Sequence, residues 1–367
     1  MAKEKYYRLT KILKENADYN IIMGERSNGK TYACLEYAIQ QYFENGSELA
    51  LVRRWKDDFT GKRGTQMFSA LVNNGVIERL SNGKYTKVVY NSSRWYFGNY
   101  DEKLDKTICA NEPFAYAFAI SMGEHDKSIS FPKVRNIVFD EFLTRKGEIV
   151  NEFVEFMNIV STIVRDRDDV KVFMCGNVVN LYSAYFREMG LKHIKDMKKG
   201  TIDVYTYGES KLKVAVEYCD NGVSKASDKY FAFDNPRLKM ITGGLWEIGN
   251  HPHLPYKYVP KDVVFLFFIV FENEIFQCEV IEKNNDCFIY IHRKTTPLKD
   301  DENDLVYSQE FSSKPNYRRK ITIGNSQIET NIQRLFALDK VFYQDNEVGN
   351  AIVNYIQWCK SETLGSR

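Results

Sequence analysis

Eight consecutive residues, Gly24, Glu25, Arg26, Ser27, Asn28, Gly29, Lys30 and Thr31, have the types and spacing to hold a chain of phosphates. They fit the pattern GxxxxGK[ST], in which glycines let the backbone curl so that its N–H groups and the start of the next helix face the anion. Lys30 would reach the β- and γ-phosphates as a point charge, and the Thr31 hydroxyl would hold Mg2+. The ligands implied are ATP and Mg2+. The metal also needs a carboxylate, and a later apolar run, residues 136–141, ends in the acids Asp140 and Glu141. Asp140 is expected to hold Mg2+, directly or through water, and Glu141 to orient and deprotonate the attacking water. An acid adjacent to the metal carboxylate points to hydrolysis, and to motors of the additional-strand class rather than to small kinases. After the next apolar run comes Cys175-Gly176-Asn177, where the Asn177 amide is placed to sense the γ-phosphate, a simple glycine turn being the alternative.

This chemistry requires elements that present it. Residues 19–23 form an apolar strand running into the glycine loop, and a helix over 30–44 follows, stopped by Asn45-Gly46. Residues 49–52 are a buried strand, 84–90 and 94–97 a hairpin turning on 91–93, and 114–121 a further strand. The short Val-rich runs 134–139 and 170–175 suit central strands, separated by a helix over 150–164. The pattern predicts an α/β P-loop domain with a largely parallel sheet of five or more strands. From about Thr201 the segments shorten, and a Gly-rich patch at 242–249 precedes His251-Pro252-His253-Leu254-Pro255. Residues 263–271, 275–281 and 287–292 then alternate as an antiparallel meander, closed by helices over 326–338 and 347–359. The expected division is a P-loop ATPase domain over 1–205, a lid or linker over 206–258 and a small α+β domain over 259–367.

The 367 residues carry 51 Lys and Arg against 49 Asp and Glu, a formal net charge of +2. Contact with a polyanion must therefore come from local clusters. Three exist: Arg53-Arg54-Trp55-Lys56 with Lys62 and Arg63, the lysine-rich stretch 192–199, and Arg318-Arg319-Lys320. Each is equally well a solvated loop. Seven irregularly spaced cysteines suit reduced thiols in a cytoplasmic protein better than a disulfide frame. The most apolar stretch, 263–271, is roughly half of the 20 or so residues a spanning helix needs, and the N-terminus lacks a signal-peptide core, so no membrane partner is expected.

Taken together, GERSNGKT at 24–31, LVRRWK at 51–56, KSISFPKVRNIVFDEF at 127–142, STIVRDR at 161–167 and GNVVNLYSAYF at 176–186 resemble the DNA-packaging ATPases, or encapsidation proteins, of phi29-like bacteriophages. These are compact relatives of large terminase subunits. The resemblance implies a ring of ATPases, a pentamer, at the portal vertex of an empty capsid in the host cytoplasm, driving double-stranded DNA inward. Arg165 matches the family's arginine finger, which acts on the neighbouring subunit's ATP, with Arg145 and Arg167 as competitors and pairing to Asp166 or Asp169 as the plainer role. Lys127 matches a second trans-acting basic residue, and Asn177 falls on the sensor. Arg53 is placed at the nucleotide, its neighbour Arg54 remaining the other possibility. The second domain is implied to be RNase H-like, a vestigial nuclease kept for docking or DNA contact. Nuclease chemistry needs clustered carboxylates, and 263–270 has none, while Glu272, Glu274 and Glu279 are assigned to turns or flanks. The alternatives are a nucleotide-gated DNA-binding or scaffold ATPase that does not translocate, and a terminase with its own endonuclease.

Overall fold

Short Val- and Ile-rich runs alternating with amphipathic stretches produce two sheets in the computed structural model, one in each of two units. The structure describes residues 6–122, 129–144, 149, 151–220, 246, 249–254, 256–299 and 303–364. One unit comprises Met1–Arg145 and Asn151–Trp246, the other Lys146–Val150 and Glu247–Arg367.

In the first unit, β1 (Tyr19–Gly24) is buried along its length and leads through a tight loop into α1 (Lys30–Asn45). The helix buries Cys34, Leu35, Ala38 and Ile39, a stripe at i and i+4 spacing laid on the sheet, and each fully buried Leu or Ile contributes about 1.5–3 kcal/mol relative to exposure. It stops at Gly46, whose φ of 75° suits a residue without Cβ and whose N–H donates to the Tyr42 carbonyl. Next come β2 (Glu48–Arg53), three short helices α2 (Lys62–Gln66), α3 (Ser69–Asn73) and α4 (Val76–Leu80), and the hairpin β3 (Lys87–Asn91) and β4 (Arg94–Asp101). Strands β5 (Lys106–Cys109), β6 (Ala115–Ala119) and β7 (Val134–Asp140) follow, then α5 (Glu152–Val164), β8 (Lys171–Asn177), α6 (Ala184–Glu188), β9 (Ile202–Tyr207) and β10 (Leu212–Tyr218). Aromatic side chains fix the far end: Phe97 stacks on Phe114 with centroids 3.9 Å apart, and buried Trp95 donates its indole N–H to the Gly64 carbonyl at 2.8 Å.

The sheet runs β3-β4-β6-β2-β7-β8-β1-β10-β9, with β5 paired to β4. From β6 to β10 all neighbours are parallel. Strand β8 is thus interposed between β1, which precedes the glycine loop, and β7, which ends in the acids. The register pairs Gly24 with Asn177, Asp140 with Cys175 and Val52 with Phe139. It gathers the C-terminal ends of β1, β2, β7 and β8 on one edge, where ligands of open α/β sheets bind.

The boundary expected at 205–206 falls within the β9–β10 hairpin. β10 pairs in parallel with β1, from Tyr19 opposite Val214 to Met23 opposite Tyr218, and Val214 to Tyr218 are buried, so the sheet extends to 218. Edge strand β9 mixes exposed and half-buried positions and so lacks the continuous apolar run of the interior strands. Residues 221–245 of the expected linker lie outside the described residues.

In the second unit, β11 (Val263–Phe271), β12 (Glu274–Lys283) and β13 (Asp286–Arg293) form the expected antiparallel meander. Three short strands unseen in the sequence extend it in parallel: β14 (Leu305–Ser308) on β11, β15 (Tyr317–Arg318) on β14 and β16 (Val341–Tyr343) on β13. Helix α7 (Gln327–Ala337) starts at Ser326, whose hydroxyl accepts from the Glu329 N–H at 3.2 Å, while the Glu329 carboxylate takes the Asn325 N–H at 2.8 Å. Helix α8 (Asn346–Leu364) buries Val348, Ile352, Tyr355 and Cys359 along one face. Glu279, assigned to a turn or flank, lies in mid-β12 between Leu266 and Tyr290. Its pairing with neighbouring polar groups offsets the cost of placing a carboxylate there. Among the described residues no helix is long and apolar enough to cross a membrane.

Candidate functional site

Between β1 and α1 the backbone takes two left-handed turns, at Ser27 with φ of 57° and at Gly29 with φ of 91°. Their effect is to fold the loop back over the start of α1. Gly24 has little spare room, since a Cβ there would meet Asn28 Nδ2 and Cys219 Cβ at 3.0 Å. From outside, the Tyr7 N–H donates to the Asn28 carbonyl at 2.8 Å, and the Tyr7 hydroxyl is anchored to Glu217 of β10 at 2.7 Å.

Lys30, although almost fully buried, points its ammonium into the loop. Nζ donates to the Glu25 carbonyl at 2.7 Å, to Asn28 Oδ1 at 3.0 Å and to Asn177 Oδ1 at 3.3 Å. Burial pulls this ammonium below its usual pKa, with the nearby thiols and then Asp140 and Glu25 opposing the shift. The Thr31 hydroxyl donates to Asp140 Oδ1 at 2.5 Å. Arg53, at the end of β2, donates from Nη2 to Asp140 and from Nη1 to Glu141 Oε2 at 3.0 Å. Glu141 holds the left-handed φ of 59°, a conformation costly for a residue with a side chain, and its carboxylate is more than half exposed.

These groups line one cavity of about 660 Å3, bounded by Arg26 to Tyr32, Arg53, Asp58, Arg63, Gln66, Met67, Asp140, Glu141 and Cys175 to Asn177. Most of the residues singled out in the sequence therefore meet in one place. Glu25 contributes its carbonyl to Lys30, while its carboxylate turns to Lys199 at 2.9 Å. Arg54 is not a cavity residue: it is buried, and Arg53 alone of the two faces the acids. Arg165 caps the C-terminus of α5, is exposed, does not line the cavity, and donates to the Ile129 carbonyl at 2.9 Å. Arg167 is occupied by the carbonyls of Phe131, Pro132, Val134 and Ile163 and by Asp169. Lys127 and Arg145 lie outside the described residues. Arg63, Gln66 and Met67, on α2 and just after it, were not assigned to the site, because nothing local in their sequence relates them to a loop more than thirty positions earlier.

The cavity suits a metal-bound polyphosphate. Buried Asn28 Nδ2 has no hydrogen-bond partner among the described residues, Lys30 offers a buried cation, and Thr31 and Asp140 place two oxygen ligands side by side, the hard donors Mg2+ prefers.

The strand–glycine loop–helix unit, the carboxylate pair two strands away and the interposed β8 belong to a mixed α/β fold built on a large, mostly parallel sheet. The chain belongs to the podovirus DNA encapsidation protein (Gp16) family, whose model matches residues 1–219. A DNA packaging protein of Bacillus phage phi29 is 28% identical over 189 residues, 51% of this chain and 50% of that protein. The chain thus spans about half the length of the relatives it matches by sequence. Among solved structures, the Phi-28 gp11 DNA packaging motor aligns over 97% of this chain and 98% of its own with a TM-score of 0.55 and 17% identity. The bacteriophage Phi-29 viral genome packaging motor assembly aligns over 96% and 100%, again at 0.55 and 17%. At that identity the likeness is one of fold.

Proposed function

We propose that the chain is an ATPase that drives double-stranded DNA into a phage procapsid as a ring of identical subunits, a pentamer, at the portal in the host cytoplasm. The observation that carries this is the register that brings Lys30, Thr31, Arg53, Asp140, Glu141 and Asn177 to one cavity at the C-terminal edge of the sheet. The strand between β1 and β7 supports placing the first domain in the additional-strand, catalytic-glutamate class. Family membership and the relatives' packaging role support DNA and the portal as partners.

In this reading Lys30, the loop N–H groups from Gly24 to Gly29 and Arg26 bind the phosphates of ATP. Thr31 and Asp140 would hold Mg2+, which would supply positive charge to offset that of the phosphates. Glu141 accepts a proton from the attacking water, and Asn177 reports loss of the γ-phosphate through its contact with Lys30. Arg53 bridges both acids and is placed to pass to the nucleotide. Arg165, exposed at a helix end, supplies the arginine for a neighbouring subunit, a contribution typically worth about 10³–10⁵ in rate. Lys127 assists in the same way. In the second domain, a three-strand antiparallel meander with a parallel strand on each edge supports the RNase H-like reading. β11 carries no carboxylate from Val263 to Phe271, which supports a docking or DNA-contact role rather than cutting.

Two measurements test this. Glu141→Gln is expected to retain ATP binding and lose turnover by at least about 10², and a variant that still hydrolyses ATP removes Glu141 from its role. Turnover per subunit is expected to rise with protein concentration and with long double-stranded DNA. Flat, DNA-independent turnover would instead identify a nucleotide-gated scaffold.

A further inference from the structure

Glu141 must hold its carboxylate steady while its backbone sits in an unfavourable conformation, and what holds that backbone comes from a residue the cavity does not contain. Arg54 follows Arg53 at the end of β2, but its side chain turns inward and is buried. Nη1 donates to the Glu141 carbonyl at 3.2 Å and Nη2 to the Phe142 carbonyl at 2.8 Å. On the other side of the turn, the Phe142 N–H donates to the Cys175 carbonyl of β8 at 3.2 Å. Arg54 is itself fixed by a two-point ion pair with Glu152, the first residue of α5, with Nε to Oε2 at 2.9 Å and Nη2 to Oε1 at 2.7 Å. The Glu152 side chain is wholly buried, and Oε1 also accepts from the Tyr185 hydroxyl of α6 at 3.0 Å.

A buried guanidinium and carboxylate are costly to desolvate, and this pair adds less to stability than its short distances suggest. What the planar five-donor fork does supply is direction: it binds a carboxylate on one side while two of its donors reach successive carbonyls on the other. We propose that Arg54 is a positioning residue for hydrolysis, clamping the Glu141–Phe142 turn so that the Glu141 carboxylate faces the γ-phosphate end of the cavity, with Glu152 and Tyr185 holding the clamp. The inference rests on the proposed ATPase activity of the same site. The last residue of β2 and the residue that follows it thus do different work. Arg53 touches the acids, and Arg54 sets where the second of them stands.

The test compares the full-length wild type with Glu152→Gln and Tyr185→Phe, each nearly isosteric with the residue it replaces. Glu152→Gln removes the charge of the two-point ion pair, and because misplacement of a reacting group by about 1 Å is expensive, kcat should fall by up to about 10² with the KM for ATP within about twofold of wild type. Tyr185→Phe removes the hydrogen bond to Glu152 and should lower kcat by about twofold to tenfold with KM likewise unchanged. Independently of activity, deuterium exchange in a peptide covering 138–143 should speed up in both variants while a peptide covering 24–31 keeps its protection. Unchanged kcat and unchanged exchange at 138–143 in Tyr185→Phe would overturn the clamp, and this variant decides the matter should Glu152→Gln fail to fold. Parallel losses of kcat, nucleotide affinity and melting temperature would also overturn it, since they mark a purely structural pair. A wild type that neither binds nor hydrolyses ATP would refute the ATPase reading itself, and exchange at 138–143 would still report on the clamp.

Discussion

The Asn177 side chain accepts from the Lys30 ammonium at 3.3 Å, so the group that would meet the phosphates and the group that would sense their loss are already in contact. A carboxylate at this point would pair with Lys30 and oppose the polyanion. Asn177→Asp should raise the KM for ATP by about tenfold or more, corresponding to at least about 1.4 kcal/mol, as measured by steady-state kinetics. Next to it, Gly176 has no room for a side chain: a Cβ would lie 2.7 Å from the Phe142 ring and 3.1 Å from Leu143 Cγ. Gly176→Ala must displace Phe142 and with it the Glu141 turn. It should lower stability by about 1–3 kcal/mol in thermal or urea unfolding and reduce kcat more than KM. The P-loop and the acid pair were legible because their chemistry is local, a fixed spacing and an apolar run with a polar end. The division of labour between Arg53 and Arg54 was not, since β2 ends at Arg53 and the inward turn of Arg54 depends on Glu152 of α5 and Tyr185 of α6, which are distant in the chain.

At the scale of elements, α5 joins two ends of the proposed mechanism. Its first residue, Glu152, holds Arg54, and its C-terminal cap is Arg165. A helix of 13 residues spans about 20 Å, so one short rod links the Glu141 turn to the arginine offered outward. In the second unit, β12 and β13 carry a diagonal pair in which His292 Nε2 lies 3.4 Å from Glu279 Oε1, with the Tyr258 hydroxyl and Gln277 also donating to Glu279. The hydrogen bond to Glu279 raises the His292 pKa above its usual 6.5, against burial and the nearby Lys294. The bond to His292, opposed by burial, lowers the Glu279 pKa below its usual 4.5. A raised histidine stabilises the fold fully below about pH 6.5 and loses that effect as pH rises through its folded value. A lowered glutamate stabilises above about pH 4.5 and loses its effect as pH falls through its folded value. The pair therefore contributes most between about pH 4.5 and 6.5. The second unit's unfolding midpoint should fall as pH is raised from 6 to 8, and His292→Gln should flatten that slope, as followed by thermal unfolding at stepped pH.

At the scale of the whole molecule, the proposed ring with a trans-acting arginine makes a prediction that no single subunit can. Arg165→Ala and Lys30→Ala should each be inactive alone. Mixed, they should recover a measurable fraction of ATP turnover, because an intact P-loop can sit beside an intact Arg165. Absence of recovery over a range of mixing ratios, with assembly verified by light scattering, would place Arg165 in its own subunit's fold instead. By itself the sequence determined the α/β class, the glycine loop between strand and helix, the acids at a strand end, the meander and both closing helices, since each is written in a local period or spacing. Only the tertiary structure decided that β10 joins the first sheet beside β1, that β8 separates β1 from β7, and that the strands β14 to β16 exist at all. The physical reason is that strand order and short-strand pairing depend on contacts between residues far apart in the chain, which leave no periodic mark. The inward turn of Arg54 has the same origin, because a buried charge is settled by the partners that folding brings to it.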